Sequence, residues 1–164
     1  MSEHALWGRI RKGLVEVEPM IDLSRVENAV EAGMPDVNYA CLICEGWIEL
    51  KHRGDVPSGE ETPVFKTGGL RDSQILWIDR RVKRGGRVFI LAQVEDMLFL
   101  VHGCYARVFN TWTLTDMYQN ARWKHCGVKP AWRDLLSALC FADNRLFRGV
   151  MSDGEKTNGD VSGT

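Results

Sequence analysis

The sequence predicts a mixed α/β domain in which one central β-sheet is covered by helices. Strand-like apolar stretches at residues 37–51 and 87–103 enclose a strongly amphipathic stretch at residues 70–84. The chain has 164 residues, of which 45% are hydrophobic and 26% are charged, as is usual for one globular domain. We expect that domain to cover residues 1–148. Residues 149–164 are small, polar and glycine-rich, so we expect a disordered tail there.

The first third of the chain predicts a helix followed by two strands. Residues 1–20 have no clear pattern, and Leu14, Val15 and Val17 suggest a short strand or an arm. The stretch "DLSRVENAVEAG" predicts a helix that Ser24 caps and Gly33 ends. Strands are predicted over residues 37–44 and 47–51, with a tight turn at Glu45 and Gly46 between them.

The remaining elements follow from glycine, proline and apolar spacing. Residues 52–69 are rich in glycine and proline and predict a long loop. "LRDSQILWIDRRVKRGG" predicts an amphipathic helix that ends at Gly85 and Gly86. "RVFILAQV" and "MLFLVHG" predict two strands with a turn at Glu95 and Asp96. Helical patterns return weakly at residues 114–123 and more clearly from Pro130 to Arg145.

Composition excludes several classes of protein. The net charge is −1, so any nucleic-acid binding has to come from a local basic surface. No apolar run approaches the roughly 20 residues that cross a bilayer. No secretory signal is visible at the N-terminus, and we expect no membrane partner. The five cysteines are an odd number among apolar neighbours, which favours reduced thiols in the cytoplasm.

Charged residues interrupt the two predicted strands near their ends. Asp36 precedes the first strand, and Glu49 and Lys51 lie on one face of the second, because side chains alternate along a strand. Two carboxylates with the backbone carbonyl of Leu50 make an oxygen-rich site, which suits Mg²⁺ or Mn²⁺. Lys51 would then orient a metal-bound water or stabilise charge on a phosphate. The alternative is an exposed strand face that carries a weak surface ion pair.

These residues resemble the signature of the PD-(D/E)xK nuclease superfamily. Pro35-Asp36 stands thirteen residues before Glu49-Leu50-Lys51, and the order of motifs over residues 24–101 is similar to Holliday-junction resolvases and to virus-type replication-repair nuclease domains. The resemblance implies a restriction-endonuclease-like fold, with a central mixed β-sheet flanked by helices. It also implies DNA as partner, a homodimer that makes paired cuts, a role in DNA recombination or repair, and a phage-encoded protein in the host cytoplasm.

The resemblance adds two further residues to the candidate site. Members carry a glutamate on the helix before the PD motif, which implies that Glu27 supports the metal. From the residues alone, Glu27 forms a capping box with Ser24, and that structural role explains it as well. Many resolvase-like members carry a glutamine on the following helix, which implies that Gln74 positions water or substrate. The alternative for Gln74 is a solvated side chain.

Basic residues and cysteines give weaker signals. Arg80, Arg81, Lys83, Arg84 and Arg87 form either a solvated helix face or a track for DNA phosphates. Lys66 and Arg71 follow the strand that carries Glu49, and we expect them near the cut. Cys41 and Cys44 have a metal-like spacing, but side chains three apart on one strand face opposite sides, so we expect no zinc there.

The expected function is metal-dependent hydrolysis of phosphodiester bonds in branched or structured DNA by an endonuclease. Asp36, Glu49 and Glu27 would hold the metal, with Lys51 and Gln74 assisting. A nickase or an exonuclease in repair or replication is the alternative among enzymes. From other classes, a non-catalytic DNA-binding or assembly protein would bind DNA equally well in chelator, and a structural dimer would not bind DNA at all.

Overall fold

A six-stranded mixed β-sheet forms the centre of the molecule, with helices packed against both faces. The computed structural model describes residues 2–26 and 32–141. The strands lie in sequence order from β1 to β6, and neighbouring strands are antiparallel except for the parallel pair β3–β4. They are β1 (Asp22–Arg25), β2 (Val37–Cys41), β3 (Cys44–Arg53), β4 (Val88–Val94), β5 (Met97–His102) and β6 (Trp123–Cys126).

Within the described ranges, five α-helices cover the sheet. They are α1 (Glu3–Val17), α2 (Asp72–Lys83), α3 (Ala106–Phe109), α4 (Leu114–Asn120) and α5 (Trp132–Cys140). Helices α1 and α5 share one apolar core with β2–β5, through residues such as Leu6, Leu91 and Leu135. Helices α2, α3 and α4 share the core on the other face, through residues such as Ile78 and Ile90. The predicted central mixed sheet flanked by helices is confirmed.

The N-terminal segment is a helix, so the prediction of a strand or an arm was wrong. The side chain of Ser2 caps α1 by accepting a hydrogen bond from Ala5 N–H at 3.3 Å. Leu6, Ile10 and Leu14 recur every four residues and are all buried against the sheet. Gly13 weakens the helical pattern, but a Cβ there would lie 2.1 Å from the Trp132 ring, so the close contact of α1 with α5 requires glycine.

The predicted helix at residues 22–33 begins instead as an edge strand. Residues Asp22–Arg25 pair antiparallel with β2, so Ser24 lies opposite Asn38 and is not a helix N-cap. Helical propensity is a weak prior, and here pairing with the edge of the sheet overrides it. Residues 27–31, including Glu27, lie outside the described residues.

The hairpin that carries the motif turns at Leu42 and Ile43 rather than at Glu45 and Gly46. Cys41 pairs directly with Cys44, and Gly46 lies within β3 opposite Tyr39. A Cβ on Gly46 would lie 2.6 Å from the Tyr39 hydroxyl, so this glycine makes room for a buried ring and does not mark a turn. The corrected register also lengthens β3 to Arg53.

The second half of the chain agrees better with prediction. Helix α2, strands β4 and β5 and their turn at Glu95 and Asp96 are confirmed, and Glu95 has the positive φ of 52° that such a turn needs. The predicted helical region at 114–123 ends at Asn120, and Trp123 begins β6. Helix α5 lies within the predicted range up to Cys140. Residues 142–164, with the predicted tail, lie outside the described residues.

The loop before α2 is held against the core by two buried apolar residues. Residues 54–71 have no regular helix or strand, so the predicted loop of residues 52–69 is confirmed apart from its first two residues, which belong to β3. Val64 and Phe65 are nevertheless buried, and Phe65 stacks on Phe109 with ring centroids 5.1 Å apart. None of the helices in the described ranges is long and apolar enough to span a membrane.

Candidate active site

The side chain of Asp36 is hydrogen-bonded to β3, the strand that carries Glu49 and Lys51. Asp36 lies just before β2, and the pairing of Val37 with Ile48 places it across from Glu49. Its Oδ2 accepts a hydrogen bond from the backbone N–H of Leu50 at 2.9 Å. Asp36 therefore continues the strand pairing with its side chain, which fixes its carboxylate beside β3.

Glu49 is a fully buried carboxylate with one satisfied oxygen. Its exposed fraction is 0%. Oε1 accepts hydrogen bonds from Nζ of Lys51 at 2.6 Å and from Nε2 of Gln74. Oε2 is also buried and has no hydrogen-bond partner among the described residues. A buried carboxylate oxygen without a donor is costly, and such an atom calls for an explanation such as an ion.

The electrostatic environment disfavours the charged form of Glu49. Burial is the largest effect and raises the pKa of its carboxyl group from 4.5 to about 7, the ammonium of Lys51 opposes it, and the nearby Asp36 adds to it. A cation beside Asp36 and Glu49 would offset both the burial and the mutual repulsion. Perturbed carboxyl groups of this kind concentrate at functional sites.

Lys51 is held between two acidic residues. Its exposed fraction is 6%, and its Nζ lies 2.6 Å from Oε1 of Glu49 and 3.8 Å from Oε1 of Glu3. Since Glu49 and Lys51 are both buried, the alternative of an exposed strand face with a surface ion pair is wrong. Leu50, between them, packs into the core on the opposite face of the sheet, as alternation predicts.

Gln74 connects the start of α2 to Glu49. Its Oε1 accepts a hydrogen bond from the backbone N–H of Arg71 at 2.9 Å, while its Nε2 donates to Glu49. Its exposed fraction is 3%, so the alternative of a solvated side chain is wrong. Gln74 therefore positions the carboxylate and closes the first turn of its helix at the same time.

Glu3 is a candidate site residue that the sequence analysis missed. The described helix that precedes Asp36 is α1, and Glu3 lies in its first turn, close to Lys51. The resemblance implies a glutamate on the helix before the PD motif, and this position fits Glu3. Recognition of α1 from Leu6, Ile10 and Leu14 would have indicated it. Glu27, the predicted residue, lies outside the described residues.

The predicted basic track lies on the second half of α2. Arg80, Arg81, Lys83 and Arg84 are all exposed, and they lie up to ten residues beyond Gln74, which is about 15 Å along a helix. Lys83 forms an ion pair with Asp79 at 3.1 Å, and the guanidinium of Arg81 lies 5.6 Å from the centroid of the Trp77 ring. Arg80, Lys83 and Arg84 are among the residues that line a cavity of about 560 Å³.

The other predicted DNA contacts have separate positions. Lys66 is exposed in the long loop, and Arg71 is exposed at the N-terminus of α2, next to Gln74. Arg87 is half-buried, and its guanidinium donates a hydrogen bond to the backbone carbonyl of Cys140. Arg87 therefore already has a structural partner at the end of α5.

Three cysteines meet at the far end of the hairpin, contrary to prediction. Cys41 and Cys44 face each other across the two-residue turn, because they belong to two strands and not to one. The argument that they point to opposite sides was therefore wrong. Cys140 joins them from α5, and all three are free thiols.

No protein-family model and no curated protein sequence matches the chain. The resemblance to the PD-(D/E)xK nucleases rests on the motif residues of the sequence.

Proposed function

We propose that this protein is a Mg²⁺- or Mn²⁺-dependent DNA endonuclease with a restriction-endonuclease-like fold. The observation that carries the proposal is the buried carboxylate of Glu49. It lies across from Asp36, pairs with Lys51, and keeps one oxygen without a partner among the described residues. A protein that only binds DNA has no need for this costly arrangement.

The residues fit a hard divalent cation. Such an ion takes oxygen ligands, and Mg²⁺ commonly uses one or two carboxylates together with water and phosphate oxygens. Asp36 and Glu49 would supply the carboxylates. The N–H and C=O groups of one strand residue point toward the same neighbouring strand, so the carbonyl of Leu50 faces the Asp36 side, just before β2 begins. The predicted ligand set of Asp36, Glu49 and the Leu50 carbonyl is therefore compatible with this geometry.

In the proposed hydrolysis, the ion and the side chains around it have different roles. A bound divalent cation lowers the pKa of a coordinated water and offsets charge on the phosphate. Gln74 holds Oε1 of Glu49 and leaves Oε2 for the ion. Glu3 lies on the other side of Lys51 and limits where its ammonium group can move.

Lys51 acts as a donor in this proposal. Its Nζ donates a hydrogen bond to Oε1 of Glu49 at 2.6 Å and carries a positive charge. From this position Lys51 would orient the attacking water and stabilise the charge that grows on the scissile phosphate. The exposed Lys66 and Arg71 lie on the segment between β3 and α2, and with Arg80, Arg81, Lys83 and Arg84 they would contact the DNA backbone.

Branched or structured DNA is the proposed substrate, and a homodimer is the proposed assembly. Both come from the resemblance to resolvases. Residues on the described surface give a basic helix face for phosphate contacts, which would position DNA without reading its sequence.

A cleavage assay tests the proposal. Matched four-way junction, flap, single-stranded and linear duplex DNA are incubated with Mg²⁺, with Mn²⁺ or with chelator. We expect metal-dependent cutting by the wild type, and a loss of at least a hundredfold in Lys51→Ala and Asp36→Asn, since the first removes a positive group beside the phosphate and the second removes a proposed metal ligand. The preferred DNA then distinguishes a resolvase from a nickase or an exonuclease.

Two other outcomes would replace the proposal. Equal DNA binding in metal and in chelator, without cutting on any substrate, would favour the non-catalytic DNA-binding protein. The absence of DNA affinity even at low salt would favour a structural dimer, because phosphate contacts strengthen as salt falls.

A further inference from the structure

Three thiols converge at the end of the molecule where the β2–β3 hairpin meets α5. The Sγ atom of Cys44 lies 2.8 Å from that of Cys41 and 2.6 Å from that of Cys140, and the third separation is 3.2 Å. The three residues come from three different elements, and Cys44 and Cys140 are 96 positions apart in the sequence. The fold therefore assembles this cluster, which the local sequence does not reveal.

The number of thiols favours a metal over a disulfide. A disulfide joins two sulfurs at about 2.05 Å and would leave the third thiol beside it without a function. Thiols are weak hydrogen-bond donors, so three of them gain little from facing one another. Three thiolates around one soft cation would satisfy all three sulfurs together, and zinc is the common ion for such ligands.

We propose that Cys41, Cys44 and Cys140 bind one zinc ion, with the fourth ligand coming from the adjoining cavity. Each thiol would release its proton to solvent and form a bond to zinc, so that Zn²⁺ and three thiolates carry a charge of −1. Zn–S bonds of about 2.3 Å in a tetrahedral site place the sulfurs about 3.8 Å apart. The cluster would thus open by roughly 1 Å on binding.

The surroundings provide both access and charge balance. A cavity of about 340 Å³ is lined by Cys41 and Cys140 together with Glu18, which gives the ion a route from solvent. Cys41 is only half-buried at the hairpin end, where the neighbouring Leu42 is 92% exposed. Arg87 donates a hydrogen bond to the carbonyl of Cys140, so a positive group stands beside the negative zinc–thiolate unit.

The proposed ion would tie the candidate nuclease hairpin to α5. The hairpin turn lies between Cys41 and Cys44, and the pairing of the same two strands places Asp36 across from Glu49. Zinc binding and folding are coupled, because the unfolded chain does not hold the ligands together. The zinc site would stabilise the turn end of the hairpin. The proposed Mg²⁺ or Mn²⁺ site lies at the opposite end, beside Asp36 and Glu49.

Metal analysis and cobalt binding test the zinc site. Protein purified under reducing conditions should contain stoichiometric zinc, and the metal-free protein should bind Co²⁺ with intense thiolate-to-metal charge-transfer absorption. Both signals should be lost in Cys44→Ser and Cys140→Ser, and retained in Cys104→Ser and Cys126→Ser. Asp36→Asn should also retain zinc, so this result is independent of the proposed nuclease activity.

Several results would overturn the zinc site. They are the absence of the cobalt absorption in wild-type protein, a disulfide between two of the three cysteines in that protein, an iron–sulfur spectrum, or zinc retained in Cys44→Ser and Cys140→Ser. The cobalt titration uses only the wild type, so it decides the question even when a serine variant does not fold. The melting temperature of the wild type should also rise when zinc is added to the metal-free protein.

Discussion

The carboxylate of Asp36 accepts a hydrogen bond from the backbone N–H of Leu50, the residue between Glu49 and Lys51, at 2.9 Å. This contact links the two halves of the PD and ExK motif through one side chain. It extends the antiparallel pairing to the residue before β2, whose first residue, Val37, pairs with Ile48. The thirteen-residue spacing of the motif therefore corresponds to a strand register that places two carboxylates together.

Alanine is expected to have opposite effects at Gly46 in the β2–β3 hairpin and at Gly8 in α1. In Gly46→Ala the new Cβ would meet the Tyr39 ring, and we expect a loss of about 1–3 kcal/mol in the free energy of unfolding. In Gly8→Ala the new Cβ has open space on the exposed face of α1, and we expect a gain of about 0.5–1 kcal/mol. Chemical denaturation measures both. Unchanged stability of Gly46→Ala would contradict the strand register, and Gly8→Ala is the control for a glycine in open space.

Gln74 is expected to matter for both stability and cleavage. Gln74→Leu removes a donor from the buried Glu49 and an acceptor from the Arg71 N–H, so we expect a loss of about 1–3 kcal/mol in stability. Cleavage should fall more than DNA binding, because the carboxylate loses its orientation. Gln119→Leu, on an exposed position of α4, is the control and should change neither.

The stability of metal-free protein should depend on the charge of Glu49. Burial, opposed by Lys51, raises the pKa of this carboxyl group from 4.5 to about 7. The folded state therefore holds a proton that the unfolded chain releases. The free energy of unfolding in chelator should fall as pH rises between those two values, by up to about 3 kcal/mol from this group. A comparison of urea denaturation at both ends of the window measures it.

Glu49→Gln provides the control for this pH dependence. Because glutamine does not titrate, the difference between variant and wild type should follow the Glu49 contribution alone. If the two proteins change in parallel with pH, the effect comes from other groups.

Metal affinity should have the opposite pH dependence. A divalent cation binds the ionised form of Glu49, so protons compete with it below a pH of about 7. We expect the affinity for Mn²⁺ to rise as pH rises through that value, which calorimetry or paramagnetic resonance would measure. A constant affinity between about pH 5 and about pH 8 would exclude Glu49 as a ligand.

Glu3 is expected to affect activity more than folding. Glu3→Gln removes a negative charge 3.8 Å from Nζ of Lys51 and leaves a side chain of the same size. We expect cleavage to fall by tenfold or more, while the helix start loses only about 0.3–1 kcal/mol. Glu16→Gln, exposed later on the same helix, should leave cleavage unchanged. An equal effect of both variants would place Glu3 outside the site.

Local patterns were enough to predict part of the fold. Strands β4 and β5 are continuous apolar runs, and the amphipathic helix α2 ends at glycines, so each element carries its own signal. The motif residues Asp36, Glu49 and Lys51 could be selected because charges interrupt apolar strands. Gln74 came from the resemblance, and its burial required the structure.

The errors arose where tertiary contacts outweigh local signals. Gly46 has the character of a turn residue, but the Tyr39 ring requires it inside a strand. Ser24 has the character of a helix cap, but β2 pairs with that segment. Glu3 depended on finding α1, and the cysteine cluster depended on the position of α5. Long-range packing decides three of these, whereas α1 itself carries a local helical signal in the spacing of its buried apolar residues.

The rate of DNA cleavage by Asp36→Asn, compared with Asp96→Asn at the same Mn²⁺ concentration, is the most direct test of the proposed metal site. Asp36 is fixed beside Glu49 and Lys51, whereas Asp96 lies exposed on the β4–β5 turn. We predict that the Asp36 variant loses cleavage by at least a hundredfold while it still binds the same DNA, and that the Asp96 variant cuts like the wild type. Wild-type cleavage by the Asp36 variant would contradict the assignment of the site.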